Sequence, residues 1–258
     1  MKMERQQLEK EYDIHVYEMG PDGKVSLHAL FNYMQDAASV HAELLGYGRD
    51  DLMKNNHFWV LSRMYARLND WPAWKDRIIV KTWPNGVDKL FAMRNYELIS
   101  HDGRTIGSAS SSWLIIDRTT KKIQRPDEFM HQYNRSRESF PSSVRNPEKL
   151  ADIREVSSAA PSPSFRVKIN DLDINLHTNN VNYIKWVTDT YDLNFVMHHR
   201  VCSAEINYLA EAIFGDEIII RTSAEDAVGS FFSHSVISPA DKKEFCRVRL
   251  EWTGVNDR

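Results

Sequence analysis

The segment Asp173-Ile-Asn-Leu-His-Thr-Asn-Asn-Val-Asn-Tyr183 gathers a carboxylate, several amides and an imidazole into one short stretch. Acid–base and oxyanion chemistry need this mixture: a group that accepts a proton, neutral hydrogen-bond donors, and a third group to orient them. Asp173, Asn175 and His177 alternate with Ile174 and Leu176, so an extended strand or loop would turn the polar three to one side and the aliphatic pair to the other. From Asn180 the period changes. Val181, Ile184, Val187, Thr188 and Tyr191 recur at helical spacing with Trp186 close to the same face, and Asn179 or Asn180 can cap the helix. The polar cluster therefore precedes a helix N-terminus, whose free N–H groups carry a partial positive charge suited to a developing oxyanion. Taken singly, an Asn before a helix is a cap and a lone His is a satisfied polar group; the combination is what points to a reaction centre.

The pattern Asp173-x-Asn175-x-His177-x-Asn179-Asn180-x-x-Tyr183, preceded by Asn170-Asp171-Leu172 and trailed by Ile184, resembles the active-site motif of acyl-acyl carrier protein thioesterases. These are plant and bacterial enzymes of double hot-dog fold that end fatty-acid synthesis. Downstream, the stretch from Cys202 to Thr222 is similar to the strand, break and strand that follow the long helix of a hot-dog domain. The resemblance implies a further catalytic acid there, matched to Glu211, with Glu205 as the fallback position. Plant members carry a Cys directly after that acid; Ala212 stands here, so a papain-like cysteine mechanism does not carry over. By the same resemblance Glu211, or His177 with it, positions and deprotonates water. Asn175 polarises the thioester and its tetrahedral intermediate, and Asp173 holds the neighbouring amide or imidazole. The implied reaction is hydrolysis of fatty acyl-acyl carrier protein to free fatty acid and carrier. The alternatives are an acyl-CoA thioesterase and a non-catalytic acyl-binding hot-dog protein. The implied carrier partner is strongly acidic and calls for basic docking groups, for which Lys185, Arg166, Lys168 and Arg200 are candidates.

An internal repeat indicates what positions these groups. Trp74-Lys-Asp-Arg-Ile-Ile-Val-Lys-Thr82 lines up with Phe214-Gly-Asp-Glu-Ile-Ile-Ile-Arg-Thr222, a period of domain size. The same relation, slightly shifted, sets Leu27-His28 beside Leu176-His177, Asn32-Tyr33 beside Asn182-Tyr183 and Trp113 opposite Trp252. In that alignment Ser26 stands where Asn175 does, and Ala29-Leu30-Phe31 replaces Thr178-Asn-Asn-Val181. One half thus keeps the chemistry while the other supplies a pocket, with Phe58, Trp59, Trp83, Phe91 and Met93 as candidate linings of an acyl-chain tunnel.

Each half reads as a helix followed by strands. In the first, Ser26 caps a helix carrying Leu30, Phe31, Met34, Ala37, Ala38, Val40 and Leu44, with Gly46 as its C-cap; strands fall near 58–68, 77–84, 89–100 and 105–117. After the second helix, strands fall near 201–209, 217–224, 229–238 and 243–253. The expected class is α+β, and the resemblance makes it a tandem (double) hot-dog, each half a long helix wrapped by an antiparallel β-sheet. Residues 1–127 form the N-terminal hot-dog domain with the acyl-chain pocket, 128–163 an Arg-, Ser- and Pro-rich linker, and 164–258 the catalytic C-terminal hot-dog domain.

Composition agrees with an enzyme of this kind. A chain of 258 residues can hold two cores, and 42% hydrophobic with 27% charged residues is ordinary for globular proteins. A net charge of −3 lacks the basic excess of nucleic-acid binders. The first residues lack the apolar centre of a signal peptide, and no run approaches the roughly 20 apolar residues of a membrane span, so a cytoplasmic protein is expected. Cys202 and Cys246 make neither a disulfide framework nor a metal cluster and read as buried free thiols. No Walker loop, dinucleotide glycine pattern or His-Glu-x-x-His motif occurs, the run Gly107–Ser112 is not a nucleophile elbow, and the adjacent His198 and His199 read as a basic helix end. Neither cofactor nor metal is expected. Two hot-dog halves in one chain mimic the usual dimer, so a monomer suffices, while exposed sheet edges allow a homodimer.

Overall fold

The structure, a computed structural model, describes residues 2–4, 6–126, 144–153, 163–226 and 229–255. Two compact units divide the chain, Met1–Pro147 and Glu148–Arg258. Their boundary falls within 128–163, the expected linker, of which only 144–153 and 163 belong to the described residues.

The first unit runs β1 (Lys2–Glu4), β2 (Gln7–Asp13), a 3₁₀ turn Val16–Glu18, α1 (Leu27–Leu44), α2 (Arg49–Lys54), β3 (His57–Leu68), β4 (Arg77–Asp88), β5 (Phe91–Ser100), β6 (Thr105–Asp117) and β7 (Ile123–Gln124). Its strands pair antiparallel in the order β1-β2-β4-β5-β6-β3, with β7 on β6. Ser26 is the N-cap of α1, and Gly46 takes the left-handed φ of 76° just past its end. Leu30, Phe31, Met34, Ala37 and Ala38 are buried, each large side chain stabilising the unit by about 1.5–3 kcal/mol. Val40 is only half-buried and Leu44 is exposed, so the buried stripe is narrower than the periodicity predicts. Strand β2 escapes sequence prediction because Gln-Leu-Glu-Lys-Glu-Tyr-Asp has little apolar alternation; pairing with β4, from Leu8 opposite Thr82 to Asp13 opposite Arg77, is what makes it a strand.

The register also sorts the candidate tunnel residues. Arg94 and Trp59 lie on the α1 side of the sheet: Arg94 Nη1 is 3.1 Å from His41 Nδ1 of α1, and Trp59 packs with Tyr47, Trp113, Ala92 and Ile115. Phe58, Trp83, Phe91 and Met93 occupy alternate positions and face the other side. Of the five, Trp59 alone faces the helix.

The second unit runs β8 (Ser164–Arg166), a 3₁₀ turn Ile169–Asp171, α3 (Asn180–Thr188), α4 (Leu193–His198), β9 (His199–Tyr208), β10 (Glu217–Ala224), β11 (Phe231–Ile237) and β12 (Glu244–Gly254). Its antiparallel order is β9-β12-β11-β10-β8. Helical spacing predicts one long helix reaching Tyr191, but α3 ends at Thr188 and Asp192 caps a separate helix, its carboxylate accepting the Phe195 N–H at 2.8 Å. Tyr191 leaves the helical path to pack against Trp252, Phe195 and Phe232, and its hydroxyl meets His234 Nε2 at 2.8 Å. The hot-dog arrangement is thus present in both units, with a long helix in the first and a broken one in the second.

Both units enter their helix through one hydrogen-bonded frame. In the first, Gly20 N–H donates to Lys24 O (2.7 Å), Ser26 N–H to Glu18 O (2.8 Å) and Val25 N–H to Pro72 O (2.8 Å). In the second, Asp173 N–H donates to His177 O (2.8 Å), Asn179 N–H to Asp171 O (2.8 Å) and Thr178 N–H to Ala212 O (3.0 Å). Gly23 and Leu176 hold the same left-handed place at φ 71° and 65°. Counted along this frame, Gly20, Asp22, Lys24, Ser26, Leu30, Trp71 and Pro72 are equivalent to Asp173, Asn175, His177, Asn179, Tyr183, Glu211 and Ala212. This corrects the alignment of Ser26 with Asn175 and of Leu27-His28 with Leu176-His177, which matched letters where the backbone bonds set the register. The match of Trp74–Thr82 with Phe214–Thr222 stands: Ile14 N–H reaches Asp76 O and Val167 N–H reaches Asp216 O, both at 2.9 Å.

Candidate active site

Residues 173–177 form a tight turn instead of the extended segment that their alternation predicts. Asp173 Oδ1 accepts the N–H of Asn175 at 2.7 Å and that of His177 at 3.2 Å, while Asp173 N–H closes the turn on His177 O. A short acidic side chain that captures the next amides outcompetes a strand ladder, and Leu176 takes positive φ to complete the turn. Ile174 and Leu176 are consequently 78% and 72% exposed rather than buried opposite the polar groups. Asn175 is exposed with its Nδ2 3.4 Å from Asp173 Oδ2, and Asp173 and His177 are half-buried.

Backbone pairing delivers the fourth residue. His177 forms an isolated antiparallel bridge with Ile213, and Thr178 donates both its N–H (3.0 Å) and its Oγ (2.9 Å) to Ala212 O. This docking brings Glu211 Oε1 to 3.4 Å from His177 Nδ1, with the two side chains 50% and 37% exposed. So open a pair adds little stability, but it can hold and pass a proton. Asp173, Asn175, His177 and Glu211 are therefore neighbours. The alternative acid, Glu205, is buried in β9, where its carboxylate accepts the Glu148 N–H at 2.6 Å; it has a structural partner instead.

Glu211 lines a cleft of about 380 Å³ together with Ile213, Asp216, Pro239, Lys243 and Phe245. Lys243 Nζ donates to the backbone carbonyl of Glu211 at 3.3 Å and rides 5.1 Å above the Phe245 ring. On the other side of the loop, Ala212 N–H donates to Tyr183 Oη at 3.0 Å. Burial pushes the Tyr183 phenol well above its ordinary pKa, against hydrogen bonds with the Ala212 backbone and Thr178 that pull it down, so the hydroxyl stays protonated. Sequence reasoning missed Thr178 and Lys243 as members of this site. Neither has a local signal, since each meets the Glu211 loop only through tertiary pairing.

The remaining predicted groups lie elsewhere. Cys246 is a buried free thiol whose pKa burial drives up, whereas Cys202 is half-buried. His198 and His199 turn their Nδ1 atoms to the carbonyls of Asn194 (2.8 Å) and Phe195 (3.0 Å), and no group of three metal-ligating side chains occurs among the described residues. Arg166 and Lys168 are exposed, Arg200 is half-buried, and Lys185 pairs with Asp189 at 3.1 Å. No helix among the described residues is long and apolar enough to cross a membrane.

Comparison with known proteins places this geometry in a family. The model of the acyl-ACP thioesterase N-terminal domain matches residues 5–133, and that of the C-terminal domain matches residues 155–254. A palmitoyl-acyl carrier protein thioesterase of Cuphea hookeriana is 28% identical over 260 residues, and an oleoyl-acyl carrier protein thioesterase of Arabidopsis thaliana is 27% identical over 233 residues, covering 95% and 84% of this chain. Both relatives are chloroplastic, and the chain spans about 62% of the length of each. An acyl-ACP thioesterase from Bacteroides thetaiotaomicron superposes with a TM-score of 0.85 at 26% identity, covering 97% of this chain and all of that one. The 12:0-ACP thioesterase of Umbellularia californica, at 23% identity, shares the fold with a TM-score of 0.82 over 99% of this chain and all of that one. With both domain models matched in order along nearly its whole length, the chain belongs to the acyl-ACP thioesterase family.

Proposed function

We propose that this protein hydrolyses the thioester of a fatty acyl group held on acyl carrier protein, with Asp173, Asn175, His177 and Glu211 as its catalytic residues. The observation that carries the assignment of residues is the 3.4 Å approach of His177 Nδ1 to Glu211 Oε1 beside the Asp173 turn. Glu211 takes a proton from water as the water oxygen bonds to the thioester carbon. His177, against that carboxylate, takes up the proton that Glu211 received and delivers a proton to sulfur as the carbon–sulfur bond breaks, leaving a free acid, a thiol and both side chains as they began. Asn175 donates to the carbonyl oxygen as it becomes an oxyanion, and the N-terminus of α3 shares that charge. Asp173 makes no contact with substrate in this scheme; it holds the amides that fix the turn.

Docking of an acidic carrier falls to Arg166 and Lys168, which are exposed, with Lys185, also exposed but paired with Asp189, beside them in the basic set, so turnover on carrier-bound substrate is expected to fall as salt rises through the physiological range. A cytoplasmic location, and a monomer or homodimer, accompany this reading. The test is release of free thiol and fatty acid from a panel of acyl-carrier and matching acyl-CoA substrates, with His177→Ala and Glu211→Gln alongside. Preference for the carrier, lost in both variants, supports the proposal. Preference for CoA reassigns the substrate, and tight acyl binding without turnover makes the protein an acyl-binding module.

A further inference from the structure

Tyr183 is 2% exposed on α3, edge-on to Trp186 and Tyr208 with ring centroids 5.5 and 6.0 Å away. Its hydroxyl accepts the N–H of Ala212, the residue after Glu211, at 3.0 Å, and Thr178 Oγ donates to the carbonyl of the same residue at 2.9 Å. Both polar groups of Ala212 are thus tied to hydroxyls of the helix entrance that bears His177.

The first unit supplies an internal control. In its equivalent frame, Leu30 stands for Tyr183, Val25 for Thr178 and Pro72 for Ala212, so both hydroxyls and the N–H are missing together. The frame still closes, through Val25 N–H to Pro72 O at 2.8 Å, and Leu30 and Val25 are fully packed. The fold therefore does not require the hydroxyl clamp. It accompanies the carboxylate: Glu211 in the second unit, Trp71 at the matching place in the first.

From this we infer that Tyr183, assisted by Thr178, is a positioning residue that acts through the Ala212 backbone to fix the Glu211 carboxylate against His177. The inference rests on the proposed catalytic role of Glu211. Phenylalanine keeps the ring in its aromatic nest while removing the acceptor, so Tyr183→Phe frees the Ala212 N–H and lets the loop drift. Misplacement of a reacting group by about 1 Å costs up to roughly 100-fold in rate.

The experiment is a double-mutant cycle of Tyr183→Phe and Glu211→Gln, measuring kcat and KM on acyl-carrier substrate, with thermal melting of every variant. Tyr183→Phe is expected to lower kcat on the order of tenfold, to leave KM within about twofold, and to add no loss in the Glu211→Gln background. Full turnover in Tyr183→Phe, or the same loss repeated on top of Glu211→Gln, would overturn the inference while leaving the role of Glu211 intact. Unchanged turnover in Glu211→Gln overturns the role of Glu211, and the inference with it. Should Tyr183→Phe fold poorly, Thr178→Val carries the same cycle with the same outcomes.

Discussion

The helix entrance of the first unit and that of the second share their backbone hydrogen bonds and differ in nearly every side chain. In the first, Asp22 Oδ1 accepts the Lys24 N–H at 3.2 Å, so the carboxylate that steadies the turn sits at its tip. In the second, the carboxylate has moved back to Asp173, where it accepts two amides, and the tip carries Asn175. Gly20, Lys24 and Trp71 fill the places of Asp173, His177 and Glu211 without loss of the frame. The turn therefore needs one carboxylate and one residue held at positive φ, Gly23 in the first unit and Leu176 in the second. An amide, an imidazole and a second carboxylate gathered beside it exceed that need, and the excess supports the proposed catalytic role.

Several substitutions break or sharpen this contrast. The largest expected effect is on turnover: Glu211→Gln and His177→Ala should each lower kcat by roughly 10²–10⁴-fold, the range of acid–base groups, while Lys24→Ala at the matching place stays within about twofold. Steady-state kinetics on carrier-bound substrate checks this, and equal effects in the two units would remove the distinction. Next, Asp173→Ala frees two amides and should cost about 1–3 kcal/mol of stability together with most of the turnover, whereas Asp22→Ala should cost stability alone. Denaturant melts paired with kinetics separate the two.

His41 of the first unit and His234 of the second are deeply buried, and burial lowers both to about 3, with Arg94 adding to the effect on His41. Their unfolded forms protonate near 6.5, so between pH 6.5 and about 3 the unfolded chain binds more protons than the folded one, and stability falls as pH falls through that window. About 1.4 kcal/mol per pH unit and histidine is expected below 6.5, with no contribution above it. Melting temperatures that stay level from pH 7 to pH 4.5 would contradict this. The smallest effect concerns Leu176, held at φ 65° and 72% exposed where the first unit has Gly23. Leu176→Gly relieves a left-handed side chain and should raise stability by about 1 kcal/mol, read as a melting temperature a few degrees higher. A lower value would mean that Leu176 makes contacts outweighing its backbone strain.

Much of the fold is legible in the sequence because its elements repeat locally. Strands β4, β6, β10 and β12 lie within a few residues of where alternation and turn residues predict them, and Ser26 and Gly46 bracket α1 at the predicted positions, although the Ser26 side chain makes no capping hydrogen bond. Where prediction failed, a contact distant in sequence had decided the outcome. Strand β2 is a strand because β4 pairs with it, α3 stops early because Tyr191 finds His234 and Trp252, and the tunnel aromatics divide between faces because register, not residue type, sets direction.

The candidate site divides along the same line. Asp173, Asn175 and His177 stand within five positions, so spacing alone determined that they would be neighbours at a helix entrance. That they meet in a turn follows from a side chain competing for local amides, which residue identity favours and alternation concealed. The approach of Glu211 to His177, and the grip of Thr178, Tyr183 and Lys243 on the loop that carries it, depend on which backbone edges pair across the unit. Such pairing gains its free energy from burial and hydrogen bonds summed over the whole sheet and helix, so no local pattern encodes it and only the tertiary structure could decide it.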